Sequence, residues 1–456
     1  MTNVHESDAI SKVSVVGIGK LGACVAAAFA SRGFKVVGTD ISIEVVRSIN
    51  DGVTSLNEPS LANLLQQHRD NMSATLSVID AVLETNATFV VVPTPSELNG
   101  SFSLSAANIA FAEIGEALKS KVSYHVVVLN STVLPGSMRN SLIKTLERFS
   151  GKVCGKDFGV CYNPAFIALG SIIENFYNPD FVLLGESDQR SGDAIAVMLE
   201  KVVAANTPIR RMSIENAELT KIALNTFVTT KIAFANSLTE MCERIPGGDI
   251  DVVSAALGND QRIGRQYLTG GIGFGGPCFP RDNKALVHFA QSLGLNADIA
   301  VATDIANNRI PESTLRRFDL PEASQSRVAV LGLAYKPGTD YPGDSQGVEL
   351  ANIWAAAGAS VSAFDALAGE NARGFVVPSV HIANSIQLAL ADADIVFVTL
   401  PDQQFQNLSV ADFEICADGA CIVDFWRIYR NTFKNVGHRR YIPVGCGLDD
   451  GGWSGS

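Results

Sequence analysis

Positive charge is scarce in this 456-residue chain. Thirty-five Lys and Arg face 47 Asp and Glu, a formal net charge of −12. That balance argues against nucleic acid or an anionic membrane as the main partner, while leaving room for a locally basic pocket. Long apolar runs are missing as well. No stretch reaches the ~18 residues that a membrane helix needs, and candidates such as Phe89–Val92 and Ile395–Leu400 have only strand length. The first ten residues carry His, Glu and Asp ahead of any apolar run, so no secretory signal is expected. The eight cysteines, at 24, 154, 161, 242, 278, 416, 421 and 446, form no CxxC pair, and the six histidines are dispersed. Neither a metal site nor a disulfide framework is expected, and a reducing cytoplasm fits.

What is present suits a globular chain. Hydrophobic residues make up 47%, and Gly (39) and Pro (17) are at ordinary levels, so neither disorder nor a collagen repeat applies. At roughly 100–200 residues per domain, two to four domains are expected. Short β-branched runs at Val13–Val16, Lys35–Thr39, Phe89–Val92 and Val126–Leu129 read as buried strands. Helical patterns such as Leu21–Ser31 and Glu44–Asn50 lie between them. This alternation predicts a parallel sheet covered by helices. A shorter α/β stretch follows near Val160–Cys161 and Phe181–Leu184. Helical periodicity then dominates from about Ser213 to Arg317. Four more strands are expected at Arg327–Leu331, Ser360–Phe364, Ile395–Thr399 and Ala420–Val423. The fold class is α/β, with the two α/β halves as distant echoes of one another. The Gly/Ser/Asp-rich end, from about Leu448, reads as a frayed tail.

Three motifs carry chemistry. Gly17-x-Gly19-x-x-Gly22 follows a strand and opens a helix. Gly17 permits the tight turn, Gly19 lets the backbone approach a pyrophosphate, and Gly22 allows close helix–strand packing. The next strand ends in Asp40, 21 residues after Gly19, where a carboxylate accepts from a ribose and repels a 2′-phosphate. That favours NAD over NADP. The second motif, GGIGFGGPCFPRD at 270–282, surrounds Cys278 with five glycines. Dense glycine exposes backbone N–H groups, as suits a phosphate or sugar. A lone cysteine is more often a small buried hydrophobe, but Arg281 and Asp282 beside it favour a nucleophile. In the third motif, Glu218, Lys221 and Asn225 fall on one helical face, which reads either as a lined pocket or as a solvated salt-bridge stripe.

Together these motifs resemble the UDP-glucose/GDP-mannose dehydrogenase family. The likeness runs from Val13 to about Arg430, through GIGKLG (17–22), VPTP (92–95), NSTVLPGS (130–137), YNPAF (162–166), ENAELTKIALNTF (215–227), RIGRQYLTGGIGFGGPCFPRDN (262–283) and VAVLGLAYKPGTD (328–340). The resemblance implies oxidation of a sugar C6 alcohol to a carboxylate with two NAD⁺, through a thiohemiacetal and a thioester on Cys278. It assigns Lys221 and Asp282 to the substrate oxygen and an ordered water, Lys221 and Asn225 to developing oxyanions, and Thr132 to that water. Gly17, Gly19, Lys20, Leu21, Gly22, Asp40, Thr94, Pro95, Ser131 and Thr132 would bind NAD. Phe166, Lys221, Asn225, Phe274, Gly275, Lys336 and Arg427 would bind a nucleotide sugar, and Arg262 would reach it from a neighbouring subunit of a homodimer with a shared site. The implied architecture is two Rossmann-like domains, 1–210 and 319–456, joined by a helical middle, 211–318, with a long central helix within Val287–Arg317.

The sequence departs from the family on the substrate side. Asn163-Pro-Ala-Phe-Ile-Ala-Leu-Gly170 stands where NPEFLxEG is usual, so Ala165 and Leu169 replace two glutamates. Neither side chain can move a proton. Tyr341-Pro-Gly-Asp-Ser345 lacks the arginine common after Asp340, and Asp424-Phe-Trp-Arg427 is bulky where glycine is frequent. Three readings stay open: a working four-electron dehydrogenase, a variant that releases an aldehyde or passes its thioester to an amine, and a non-catalytic NAD- or nucleotide-sugar-binding regulator.

Overall fold

A computed structural model describes residues 10–56, 58–167, 169–433 and 440–447. The tail read as frayed lies outside the described residues. The chain divides between Ala223 and Leu224 into two compact units, and each has its own sheet.

The first unit holds β1 (Lys12–Val16), β2 (Lys35–Thr39), β3 (Met72–Thr75), β4 (Ala87–Val90), β5 (Val126–Leu129), β6 (Gly159–Tyr162), β7 (Val182–Glu186) and β8 (Ile209–Ser213). Their order is β3-β2-β1-β4-β5-β6-β7-β8. Neighbours run parallel except β6 and β7, which are antiparallel. The central strands are apolar on both faces because helices cover both, and β4, β5 and β6 are buried at every residue. The helix Lys20–Ser31 is alanine-rich and buried from Gly22 to Ala30, so its small side chains let it sit close to the sheet. Phe29 fills the gap beneath it, with ring centroids 4.7 Å from Phe89 and 5.6 Å from Phe176.

The second unit holds β9 (Arg327–Leu331), β10 (Ser360–Phe364), β11 (His381–Ile382), β12 (Ile395–Val398), β13 (Cys421–Asp424) and β14 (Arg440–Pro443). Their order is β11-β10-β9-β12-β13-β14, parallel throughout. This repeats the permutation of the first six strands of the other sheet, so the expected echo between the halves is real at the level of topology. Its core continues into the helical stretch before it. Ile272, Ile310 and Phe318 belong to the same buried cluster as Val330 and Phe397. The Trp354 indole N–H donates to Thr314 across that seam at 2.9 Å.

The ten expected strands are all present, four with the expected bounds and the rest with ends displaced by one or two residues. The four that sequence patterning missed are β3, β8, β11 and β14, and each lies at an edge of its sheet. An edge strand is half wetted, so it needs no apolar run: MSAT, IRRMS and RYIP carry none. A long helix does lie within 287–317: Asp298–Arg317, with 20 residues. The stretch 287–317 is divided between helices Phe279–Ser292 and Asp298–Arg317, interrupted where Gly294 adopts φ +72°. The longest helix among the described residues is Ile214–Cys242, with 29 residues. Its mixed faces hid its length.

Trp354→Ala should destabilise the protein by about 3–5 kcal/mol, because it empties a 1%-exposed site and orphans a hydrogen-bond partner. Urea denaturation followed by circular dichroism measures this.

Candidate functional site

In the first unit, register aligns the carboxyl ends of four strands. Thr39, Val16, Val90 and Leu129 are level across β2, β1, β4 and β5. Segments leaving these ends carry every residue expected at a dinucleotide. Gly17 turns with φ +87°, and a Cβ there would lie 2.5 Å from the Val91 carbonyl. At Gly22 a Cβ would lie 1.8 Å from the Gly17 carbonyl, so only glycine lets the helix start this close to the strand. Nothing lies within 4 Å of a Cβ at Gly19. The protein itself gives no reason for glycine at 19, and the open space fits a closely approaching ligand. Lys20 and Leu21 begin the helix, whose start has no side-chain cap and no acidic residue in its first turn. Its N–H groups thus remain available to an anion. Asp40 accepts from Ile18 N at 3.1 Å and from Ser42 N at 3.0 Å. Each of its oxygens keeps a second lone pair for a hydroxyl.

The other side of this edge is tied by side chains. The Ser131 hydroxyl donates to the Val92 carbonyl at 2.6 Å and accepts from Val92 N at 3.1 Å. The Thr94 hydroxyl donates to the Thr132 carbonyl at 2.8 Å. Pro95 follows on the exposed rim. These residues fit a dinucleotide: an uncapped helix start, an open glycine, and a carboxylate beyond the second strand.

Glu218 supports the same edge from the helix Ile214–Cys242. Its carboxylate accepts from Gly136 N at 2.6 Å and Met138 N at 2.9 Å, fixing the segment that carries Ser131 and Thr132. Sequence patterning grouped Glu218 with Lys221 and Asn225 but gave it no role. Its burial pushes the carboxyl up to about 7, against the two N–H donors that favour the ionised form. Lys221 is buried too, with its ammonium 4.6 Å from the centroid of the Phe166 ring.

Phe166 lies in the loop that lacks the two glutamates. Asn130 Nδ2 donates to the Asn163 carbonyl at 2.5 Å, and Asn163 Nδ2 donates to Leu183 O at 2.9 Å. Leu169 packs against the first hydrophobic core. A carboxylate does serve this loop, but it is Glu58, which sequence reasoning missed. Glu58 accepts from Gly170 N at 3.0 Å and Ile172 N at 2.6 Å. Both its oxygens hold backbone.

In the second unit Cys278 is exposed and immediately precedes the helix Phe279–Ser292, without a side-chain capping bond. One turn later, fully buried Asp282 accepts from Asn225 Nδ2 at 2.6 Å and from Arg281 Nε at 3.3 Å. The polar ladder continues inward. Thr229 donates to Asn283 Oδ1 at 3.0 Å, and Asn283 donates to Asp304 at 2.9 Å. Burial raises the Asp304 carboxyl, while the Asn283 bond opposes the shift. Asn283 escaped sequence reasoning because a single amide carries no spacing signal.

The glycine-rich loop corrects an expectation. Its glycines serve close packing more than N–H exposure. A Cβ at Gly270 would lie 2.0 Å from the Thr239 hydroxyl, and one at Gly275 would lie 2.0 Å from the Asp344 carbonyl. Two asparagines clamp the backbone in both directions. Asn236 accepts from Gly271 N at 2.8 Å and donates to Ile272 O at 3.2 Å. Asn307 accepts from Phe274 N at 2.8 Å and donates to Phe274 O at 3.0 Å. Phe274 and Gly275 are buried within this packing.

Arg427 is a second correction. It was expected to close over a nucleotide sugar, but all five of its N–H donors are taken. Nε and Nη2 bind Asp251 at 2.8 Å each, Nη1 binds Phe425 O and Val444 O, and Nη2 also binds Gly270 O. Its side chain is 3% exposed, and it fixes the loop's start. Arg262, by contrast, is 89% exposed and among the described residues pairs with Asp260, at 2.6 Å. Lys336 is half-buried in the loop after β9. That loop repeats the first unit's logic. Gly332 turns with φ +112°, a Cβ at Gly347 would lie 2.1 Å from its carbonyl, and Asp365 accepts from Leu333 N and Ala334 N. Asp365 was overlooked, although its place at the end of the second strand matches that of Asp40.

An acid with a raised folded pKa holds its proton more tightly folded than unfolded. The stability from Glu218 is therefore complete below about 4.5 and is lost as pH rises to about 7. Relative to Glu218→Gln, which does not titrate, wild-type stability should fall across that window by on the order of 3 kcal/mol. Urea denaturation at several pH values tests this, and a pH-independent difference contradicts it.

Models of three domains of one family match the chain: the NAD binding domain over 11–203, the central domain over 215–309 and the UDP binding domain over 329–431. A UDP-glucose 6-dehydrogenase of Haloferax volcanii is 36% identical over 403 residues, 87% of this chain and 93% of that protein. A GDP-mannose 6-dehydrogenase of Azotobacter vinelandii is 33% identical over 414 residues, 87% of this chain and 93% of that one. The structure of a UDP-glucose dehydrogenase from Pyrobaculum islandicum superposes with a TM-score of 0.85 at 32% identity, covering 98% of this chain and 100% of that one. Members of the family use NAD. The chain belongs to the UDP-glucose/GDP-mannose dehydrogenase family.

Proposed function

We propose that this protein oxidises the C6 alcohol of a nucleotide sugar to a carboxylate through Cys278. One observation carries the reading: an exposed thiol at a helix start, one turn from a buried Asn225–Asp282 pair, in a chain whose dinucleotide edge is intact. NAD⁺ supplies the hydride acceptor for each of two oxidations. The helix start favours the thiolate over the thiol. Lys221 takes the proton of the substrate hydroxyl in the first oxidation, which yields an aldehyde. The thiolate adds to that aldehyde, and loss of a second hydride leaves a thioester. Water then attacks the thioester carbon, the C–S bond breaks, and carboxylate and thiolate are released. Asp282 handles the proton of that water, Asn225 donates to the oxyanion, and Thr132 positions the water.

Lys336 and exposed Arg262 are the cations assigned to the nucleotide sugar. Arg262 serves a neighbouring subunit in a homodimer. Phe227, Phe234 and Met241 support the dimer: they recur every seven residues on one helix and are 67%, 54% and 58% exposed. Such a stripe suits a second copy of the same helix. We place the protein in a reducing cytoplasm, where its cysteines would stay as thiols. A UDP-sugar is favoured by the domain matched at 329–431.

A second reading is favoured by Ala165 and Leu169. With Leu169 packed against the core, residues 163–170 carry no carboxylate, and both oxygens of nearby Glu58 are committed to backbone. Thioester hydrolysis would then be slow, and the product an aldehyde or, with an amine as acceptor, an amide. Counting NADH per sugar consumed, with mass spectrometry of the product, decides between them. Two NADH with free uronate is the expected outcome; one NADH, or an amide, establishes the second reading. Cys278→Ser should lower turnover on the order of a thousandfold or more with NADH affinity unchanged. Turnover that survives this substitution rules out the thiol mechanism.

A further inference from the structure

The two units differ in what separates turn glycine from helix glycine. Gly22 follows Gly17 by five positions, whereas Gly347 follows Gly332 by 15. The longer loop folds back on itself and onto the cysteine loop. Tyr335 N donates to Tyr341 O at 3.1 Å, and Gly276 N donates to Gly343 O at 3.2 Å. Two phenols stand where the loops meet. The Tyr335 ring covers Gly276, two residues before Cys278, and would lie 2.3 Å from a Cβ there. Tyr341 meets Tyr335 edge-on, with centroids 6.0 Å apart at 85°. Tyr341 in turn lies over Gly343, where a Cβ would come within 2.6 Å of its ring and hydroxyl. Gly343 does not adopt a left-handed φ, so the ring, not the backbone, excludes a side chain at that position.

Both rings are half-buried. Burial is the main reason that both phenols ionise less readily than usual. The Cys278 charge adds to it in each case, for Tyr341 after that of Asp344. At neutral pH both phenols keep their protons and can donate.

We infer that Tyr341 is a specificity-determining residue for the reaction proposed above: with Tyr335 it forms a neutral aromatic wall beside Cys278 that packs against the sugar of the substrate and donates one hydrogen bond to a sugar hydroxyl. The assignment rests on that reading of the function. A phenol offers an apolar face to the C–H groups of a pyranose and a donor to its hydroxyls. It cannot neutralise a diphosphate. The wall therefore discriminates between sugars and leaves nucleotide affinity alone. A site built to hydrogen-bond a hydroxyl rejects an analogue that misplaces it.

The test measures kcat/KM for UDP-glucose, GDP-mannose and a UDP-N-acetylhexosamine, together with inhibition by the nucleoside diphosphate of the preferred substrate. Tyr341→Phe keeps the packing and removes the donor. It should lower the discrimination between sugars by roughly tenfold or more, with nucleotide inhibition and NADH affinity unchanged. Gly343→Ala displaces the ring and should produce a similar loss. In a Tyr341→Ala background Gly343→Ala should add little, because the atoms it strikes are gone. Tyr341→Phe and Tyr341→Ala proteins that retain wild-type discrimination, or that weaken all sugars by one factor, overturn the assignment while the dehydrogenase reading stands. A wild-type protein that oxidises none of the sugars overturns both.

Discussion

Each unit depends on one contact: a helix that starts against a backbone carbonyl where a side chain would not fit. At Gly22 a Cβ would lie 1.8 Å from the Gly17 carbonyl, and at Gly347 it would lie 2.1 Å from that of Gly332. Removing that one carbon brings the helix down onto the sheet; in the first unit the helix start carries no side-chain cap, whereas in the second Ser345 accepts from Gly347 N. A carboxylate after the second strand then pins the turn, Asp40 in one unit and Asp365 in the other. The same solution therefore appears twice in one chain, with different loops inserted into it.

The loops divide the chemistry. In the first unit the turn is short and its surroundings are backbone, hydroxyl and carboxylate, as suits a dinucleotide bound largely by main chain. In the second, the chain around Cys278 is held by amides. Asn236 and Asn307 grip the glycine-rich loop in both directions, and Asn225 grips Asp282. Neutral amides can satisfy a buried backbone without the desolvation cost of a charge. That leaves Cys278 exposed on a support held by buried hydrogen bonds.

Charge follows a similar division. Arg427, Arg430 and Arg317 are bound to Asp251, Asp249 and Glu243. Arg211 is shared by Glu186 and Asp193. The acidic balance of the chain is thus partly a means of fixing its own arginines, and a guanidinium's presence in a matching motif does not by itself assign it to a ligand.

The class of fold, the central strands and the dinucleotide fingerprint are all legible in the chain before it folds. These are legible because buried parallel strands must be apolar throughout, and because a positive φ or a missing Cβ leaves glycine as the residue of choice. A long matching motif singled out Cys278 and Asp282, but not that the one is exposed and the other fully buried. Other features needed the tertiary structure. Edge strands escaped because half of each is wetted and carries no periodic signal. Arg427 was misread because the acceptors that take its donors lie 2 to 176 positions away. Glu58 and Asn307 show the same limit: their partners lie 112 and 33 positions distant, and only folding brings them together. Local conformation is written in neighbouring residues, but whether a polar group is free for a ligand depends on what the rest of the chain brings to it.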